Sequence, residues 1–125
     1  MPSYRITLDV LDVLPGHAPP EVLQTAVATV RETHVVEADQ LDVVGGMPQI
    51  TVRFTIDASS RDEEDHEARV VRARMVHAVA QVARCRNGRA LRRVGGRWAL
   101  IRLPTGAPGP APSPPRRARP SRSGL

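Results

Sequence analysis

Residues 35–56 read VVEADQLDVVGGMPQITVRFTI, and the fold class follows from them. Ile50, Val52, Phe54 and Ile56 alternate with Thr51, Arg53 and Thr55. A period of two puts one side of a strand in a core and the other in solvent. Ahead of them, β-branched residues mixed with Glu37, Asp39 and Asp42 form another strand, and Gly45-Gly46 between the two marks a hairpin. The alternation slips around Asp39-Gln40, where Ala38 and Leu41 would otherwise face opposite sides, so a bulge or an early strand start is expected there.

Toward the N-terminus, Ile6, Leu8 and Val10 alternate with Arg5, Thr7 and Asp9 within residues 4–14, a half-buried strand. Pro15-Gly16 ends it. Pro19-Pro20 and Glu21 then open a helix, because proline's fixed φ suits a first turn and an acid there meets the positive end of the helix dipole. Val22, Leu23, Ala26, Val27 and Val30 give that helix one apolar stripe, running to about Thr33.

Toward the C-terminus, Ser60 and Glu63 have capping-box spacing, and the acidic run at residues 62–65 suits a helix N-terminus. Ala68, Val71, Met75, Ala78, Val79 and Val82 share one face, and Asn87-Gly88 reads as a stop, which places the helix end near Arg86. Residues 91–103 hold two apolar bursts around Gly95-Gly96. They read as one last strand from about Arg97, with a tight hairpin as the alternative. Trp98 with Leu100 and Ala99 with Ile101 are both apolar sets, so the pattern does not say which faces inward.

The expected architecture is therefore α+β: a ferredoxin-like α/β plait in the order βαββαβ, an antiparallel sheet with two helices on one face, over residues 1–103. Residues 104–125, PTGAPGPAPSPPRRARPSRSGL, hold too little apolar surface to offset the entropy of ordering and are expected to be a disordered tail.

All 18 basic residues are Arg, which with abundant Ala, Gly, Pro and Val is the bias of GC-rich codons and points to a high-GC bacterial source. One cysteine, Cys85, excludes an internal disulfide, and no apolar run reaches the length of a membrane span, so a cytoplasmic chain without a membrane partner is expected. Charge is strongly segregated. The first 67 residues carry all 13 acids and four arginines, and the remainder carries 14 arginines and no acid.

Motifs for chemistry are missing. His66-Glu67-Ala68-Arg69-Val70 begins like a zinc-protease helix, but Val70 stands where the second ligand belongs. His66 and His77 share a helix face about 16 Å apart, too far for one metal ion. There is no phosphate-binding glycine loop with Lys, no nucleophile elbow and no paired-cysteine motif. No catalytic residue, cofactor or metal is assigned, and a non-enzymatic role is the leading expectation.

In a plait the first and third strands are central, so Arg5, Thr7, Asp9, Gln49, Thr51, Arg53 and Thr55 should form an uncovered polar face, without the aromatics on which RNA-binding plaits stack bases. Asp9, His17 and Arg53 are the expected contacts for a ligand on that face. The second and fourth strands should be the edges, one acidic through Glu37, Asp39 and Asp42, the other basic through Arg92, Arg93, Arg97 and Arg102. Three readings follow: an interaction module that self-associates or binds an acidic protein partner; a nonspecific nucleic-acid binder using those four arginines with Arg116, Arg117, Arg119 and Arg122 of the tail; or a small-ligand domain or enzyme on the open face.

Overall fold

A computed structural model describes residues 2–57 and 60–102. The expected tail, with Arg116, Arg117, Arg119 and Arg122, lies outside the described residues. The elements are β1 (Ser3–Val13), α1 (Pro19–Arg31), β2 (Val36–Val44), β3 (Met47–Thr55), α2 (Arg61–Val79), β4 (Ala83–Val94) and β5 (Arg97–Leu100). They build one antiparallel sheet in the order β2-β3-β1-β4-β5, with both helices on one side. This is an α+β ferredoxin-like fold with one strand more than the sequence pattern suggests.

The central hairpin forms as its composition requires. Gly45 and Gly46 sit at φ +59° and +81°, the left-handed conformation of a two-residue turn whose twist matches that of its strands, and Val44 pairs with Met47 across it. A bulge is present in β2, but at Glu37: the register steps from Val36 opposite Phe54 to Ala38 opposite Arg53. Helix α2 starts at its expected cap, where Ser60 Oγ accepts from the Glu63 amide at 3.2 Å. The core is aliphatic and lies between sheet and helices. Tyr4, Ile6, Leu8, Val10, Ile50, Val52 and Phe54 meet Val22, Ala26 and Val30 of α1 and Ala68, Val71, Met75 and Val79 of α2.

Three expectations are corrected. Helix α2 ends at Val79, not near Arg86, because the chain turns at Ala80 and re-enters the sheet as β4. Val82 is still buried, but from that turn. Asn87 does not stop a helix. At φ +57° it is the extra residue of a β-bulge, where the β1–β4 register jumps from Thr7 opposite Arg89 to Asp9 opposite Arg86. Next to it Gly88 leaves room for α2: an added Cβ would stand 3.1 Å from Val76 Cγ2 and 3.3 Å from Leu8 Cδ1.

The third correction concerns the last strand. A second Val-Gly-Gly turn at residues 94–96, with Gly95 and Gly96 at φ +53° and +80°, folds β4 back into β5. Strand β4 is therefore interior for part of its length and β5 forms the edge. The register, Arg93 opposite Trp98 and Leu91 opposite Leu100, puts Trp98 and Leu100 on the open face, while Ile101 is 7% exposed in the core.

This topology also removes Arg92 from any basic edge. Arg92 lies opposite Tyr4, on the helix side, where its Nη1 donates to Tyr4 Oη, to Glu64 Oε1 at 2.8 Å and to Asp65 Oδ1 at 3.3 Å. Tyr4 Oη in turn donates to Asp65 Oδ1 at 2.8 Å. Burial opposes the charge of Arg92, yet the bonds to these acids outweigh it and hold the guanidinium above its ordinary pKa. For Tyr4 burial acts in the same direction as the bond to Asp65, and both push its hydroxyl up. The four groups pin α2 to the sheet, and Arg92 is not available to a partner.

Candidate functional site

The helix-free side of the sheet gathers four arginines, of which only Arg53 has an acidic partner among the described residues. Arg5 on β1 lies opposite Arg53 on β3, and Arg89 and Arg93 of β4 flank the Leu91 that faces Arg5 on the other side. Like charges placed opposite one another destabilise a sheet. Trp98 reaches inward from the edge strand and organises them: its ring centroid lies 4.6 Å from Arg5 Cζ, 5.3 Å from Arg53 Cζ and 5.4 Å from Arg93 Cζ. Cation–π attraction offsets part of the repulsion, but it adds no negative charge.

The hydrogen bonding of the four arginines is uneven. Arg89 Nε donates to Thr7 Oγ1 at 3.3 Å. Arg53 Nε lies 3.2 Å from Glu37 Oε1, off the hydrogen-bond direction, so the pair is an ion contact and its N–H stays unbonded. Arg5 Nε is buried without an acceptor, and Arg5 makes no hydrogen bond or ion pair among the described residues. Arg93 has only its contact with Trp98. Burial first, and then the charges of Arg53, Arg89 and Arg93, press the Arg5 pKa below its ordinary value.

A pocket of about 130 Å³ opens beside this group, lined by Arg5, Thr51, Arg53, Trp98 and residues 38–40 of β2. Asp39 pairs with core-facing Val52, so alternation turns its side chain toward the helices, and Ala38 and Gln40 face the pocket.

The expected contacts divide. Arg53 is in the pocket. Asp9 lies farther along the same face, accepting from Gln49 Nε2 at 3.0 Å and Asn87 Nδ2 at 2.8 Å. Those bonds, first that of Asn87, lower its pKa. His17 is outside the pocket, with Nδ1 2.6 Å from Glu21 Oε2 on α1. Of the four arginines expected on a basic edge, Arg93 joins the Trp98 group, Arg97 is exposed on β5, Arg102 is exposed with its carbonyl accepting from Arg69 Nε at 2.9 Å, and Arg92 is internal. On the acidic side, Glu37 engages Arg53 and Ser3, and Asp42 accepts from Gln40 Nε2 at 2.6 Å.

Sequence reasoning placed Arg5 and Arg53 on this face but missed that Arg89, Arg93 and Trp98 gather with them. An aromatic does stand on the open face, supplied by a fifth strand, and the repeated Val-Gly-Gly at residues 44–46 and 94–96 was the signal for that strand. Among the described residues no group of three or more His, Cys, Asp or Glu is placed to hold a metal ion, and no helix is long and apolar enough to cross a membrane.

No protein-family model and no curated protein matches the sequence. Among solved structures, the chain is similar to the solution NMR structure of a de novo designed protein, LFR1 1, with a ferredoxin fold: 12% identity, 82% of this chain and 96% of that chain covered, TM-score 0.43.

Proposed function

We propose that the chain is an interaction module, without catalysis of its own, that binds an acidic protein partner across the open face of its sheet. The observation that carries this reading is Arg5, a partly buried guanidinium beside three like charges and without a counter-ion among the described residues. Buried charge is ordinarily paired, because an unpaired one loses its hydration for nothing in return. A partner's negative groups would supply the missing charge. The groups that an enzyme would use are otherwise engaged: Asp9 holds two amides, His17 holds Glu21, and burial, then Asp9, push the Cys85 thiol up to about 11.

Trp98 is the only tryptophan and reports directly on the site. Titration with a glutamate-rich peptide at low salt should give a saturable change in its fluorescence, weakened by salt and lost in Arg5→Ser. An unresponsive wild-type protein would overturn the proposal.

Self-association is a second reading, favoured by the sheet edges. Val43 is 70% and Val44 56% exposed on β2, and Leu100 is 61% exposed on β5, so each edge joins apolar surface to charge, acidic on β2 and basic at Arg97. Pairing of two different edges continues from copy to copy, so it would give rings or open filaments, not two-fold dimers. Sedimentation against concentration tests it: a monomer at every concentration at low and high salt removes this reading. Single-stranded nucleic acid is less well served, because three guanidiniums already gather at the one aromatic on which a base would stack.

A further inference from the structure

Resting on the open face as the binding surface, we infer that the pocket between Arg5, Arg53 and Trp98 receives a phosphoryl group carrying two negative charges, a phosphomonoester on a protein segment. Size comes first. At about 130 Å³ the pocket is well under the roughly 300–1,000 Å³ of sites for whole small molecules, so it suits one terminal group of a larger partner.

Charge narrows the class. Glu37 balances Arg53, and Arg89 is tied to Thr7, which leaves two cations with no anion among the described residues: Arg5 in the pocket itself, and Arg93 outside its lining, against the Trp98 ring. One carboxylate would balance one of them. A phosphomonoester carries about −1.5 to −2 at neutral pH, with three strong acceptor oxygens. The donors suit it: guanidinium groups bind phosphate oxygens through paired N–H bonds, and the Thr51 hydroxyl, which makes no hydrogen bond among the described residues, stands in the pocket lining as another donor. On the β2 side Gln40 and Ala38 add no charge, and Asp39, although part of the lining, pairs with core-facing Val52 and turns its carboxylate toward the helices. A single carboxylate in the pocket would balance Arg5 and leave the neighbouring Arg93 uncompensated, whereas a doubly charged group there also serves Arg93 across the Trp98 ring.

The test uses the full chain and three probes: a phosphoserine peptide of otherwise neutral sequence, the same peptide with glutamate in place of phosphoserine, and inorganic phosphate. Trp98 fluorescence and calorimetry are the readouts. The phosphoserine peptide should bind at least about tenfold more tightly than the glutamate peptide, equivalent to ~1.4 kcal/mol. Inorganic phosphate should compete with it. Arg5→Gln, which removes the unpaired cation of the lining, should abolish the preference, and the exposed Arg93→Gln, which removes the cation beside it, should weaken it, whereas Arg97→Gln should keep it.

Equal affinity for the two peptides would overturn the phosphoryl assignment and leave the acidic-partner reading standing. Binding of neither would sink both. If inorganic phosphate binds as tightly as the phosphopeptide, the pocket is a phosphoryl site but its protein source is refuted. Tighter binding of a single-stranded oligonucleotide of equal charge would overturn the assignment in favour of a phosphodiester.

Discussion

Replacing Arg92 with methionine keeps an apolar stem of similar length and removes the charge at the centre of the Tyr4–Glu64–Asp65 group. Glu64 is 8% exposed, and the Arg92 and Asp65 side chains are 17% and 18% exposed. Removing one partner of a buried ion pair costs about 3–5 kcal/mol, because the other charge is left without its counter-ion. The remaining exposure lets water reach the abandoned carboxylates in part, so the lower end, about 3 kcal/mol, applies here. For a domain of this size each kcal/mol moves Tm by about 4–8 °C, so R92M should melt roughly 12–24 °C below the parent. Charge alone is not the whole account, because replacing both partners by apolar groups often restores stability. The double variant R92M with Glu64→Leu should recover most of the loss, giving a coupling of at least about 2 kcal/mol in a double-mutant cycle. Urea unfolding followed by far-UV circular dichroism measures all four corners. A loss below about 1 kcal/mol for R92M, or a double variant no better than the single one, would refute the view of Arg92 as an internal strut.

Gly88→Ala should destabilise by about 1–2 kcal/mol in the same assay, because its Cβ would press on Leu8, which is fully packed, and on Val76. The Cys85 thiol, pushed up to about 11 by burial and by Asp9, should react slowly with a disulfide reagent at pH 7.5 in the native protein and fast once unfolded; equal rates would refute its burial. Asp9 is held below its ordinary pKa by Asn87 and Gln49, so its contribution is present above the unfolded value near ~3.9 and is lost as pH falls through the folded value. The stability gap between wild type and Asp9→Asn should accordingly narrow as pH is lowered from 6 to 2, and a constant gap would contradict the linkage.

What could be read in the sequence was whatever repeats at a fixed period or needs a special backbone. Strand β1, helix α1, the β2–β3 hairpin and the start of α2 all announce themselves in this way, through alternation, an apolar stripe, Gly45-Gly46 and Ser60. The end of α2 did not, because Val79 and Val82 continue the helical phase across the turn, and Asn87-Gly88 carries the same left-handed preference in a bulge as at a helix end. Arg92 resembles any surface arginine until β1 brings Tyr4 beside it. The open-face cluster was legible only in part: Arg5 and Arg53 follow from strand alternation, whereas Trp98 joins them through a strand whose two sides are equally apolar in sequence.

Strand β1 lies in the middle of the sheet, and both its neighbours are distant in the chain: Tyr4 is paired with Phe54 on one side and with Arg92, 88 residues away, on the other. Neither pairing can be made by a local hairpin. Closing such loops costs entropy before any contact rewards it, so domains of mixed, non-local topology fold more slowly than helical bundles of equal size. The β2–β3 and β4–β5 hairpins can form early on their own turns, yet each stays an isolated ribbon until β1 docks between them and joins the two into one sheet. We therefore expect the capture of β1 to limit the rate of refolding, as stopped-flow measurement would show. Substitutions at Ile6 and Leu8 should therefore slow refolding, and substitutions at the two glycine turns should change its rate far less than they change overall stability.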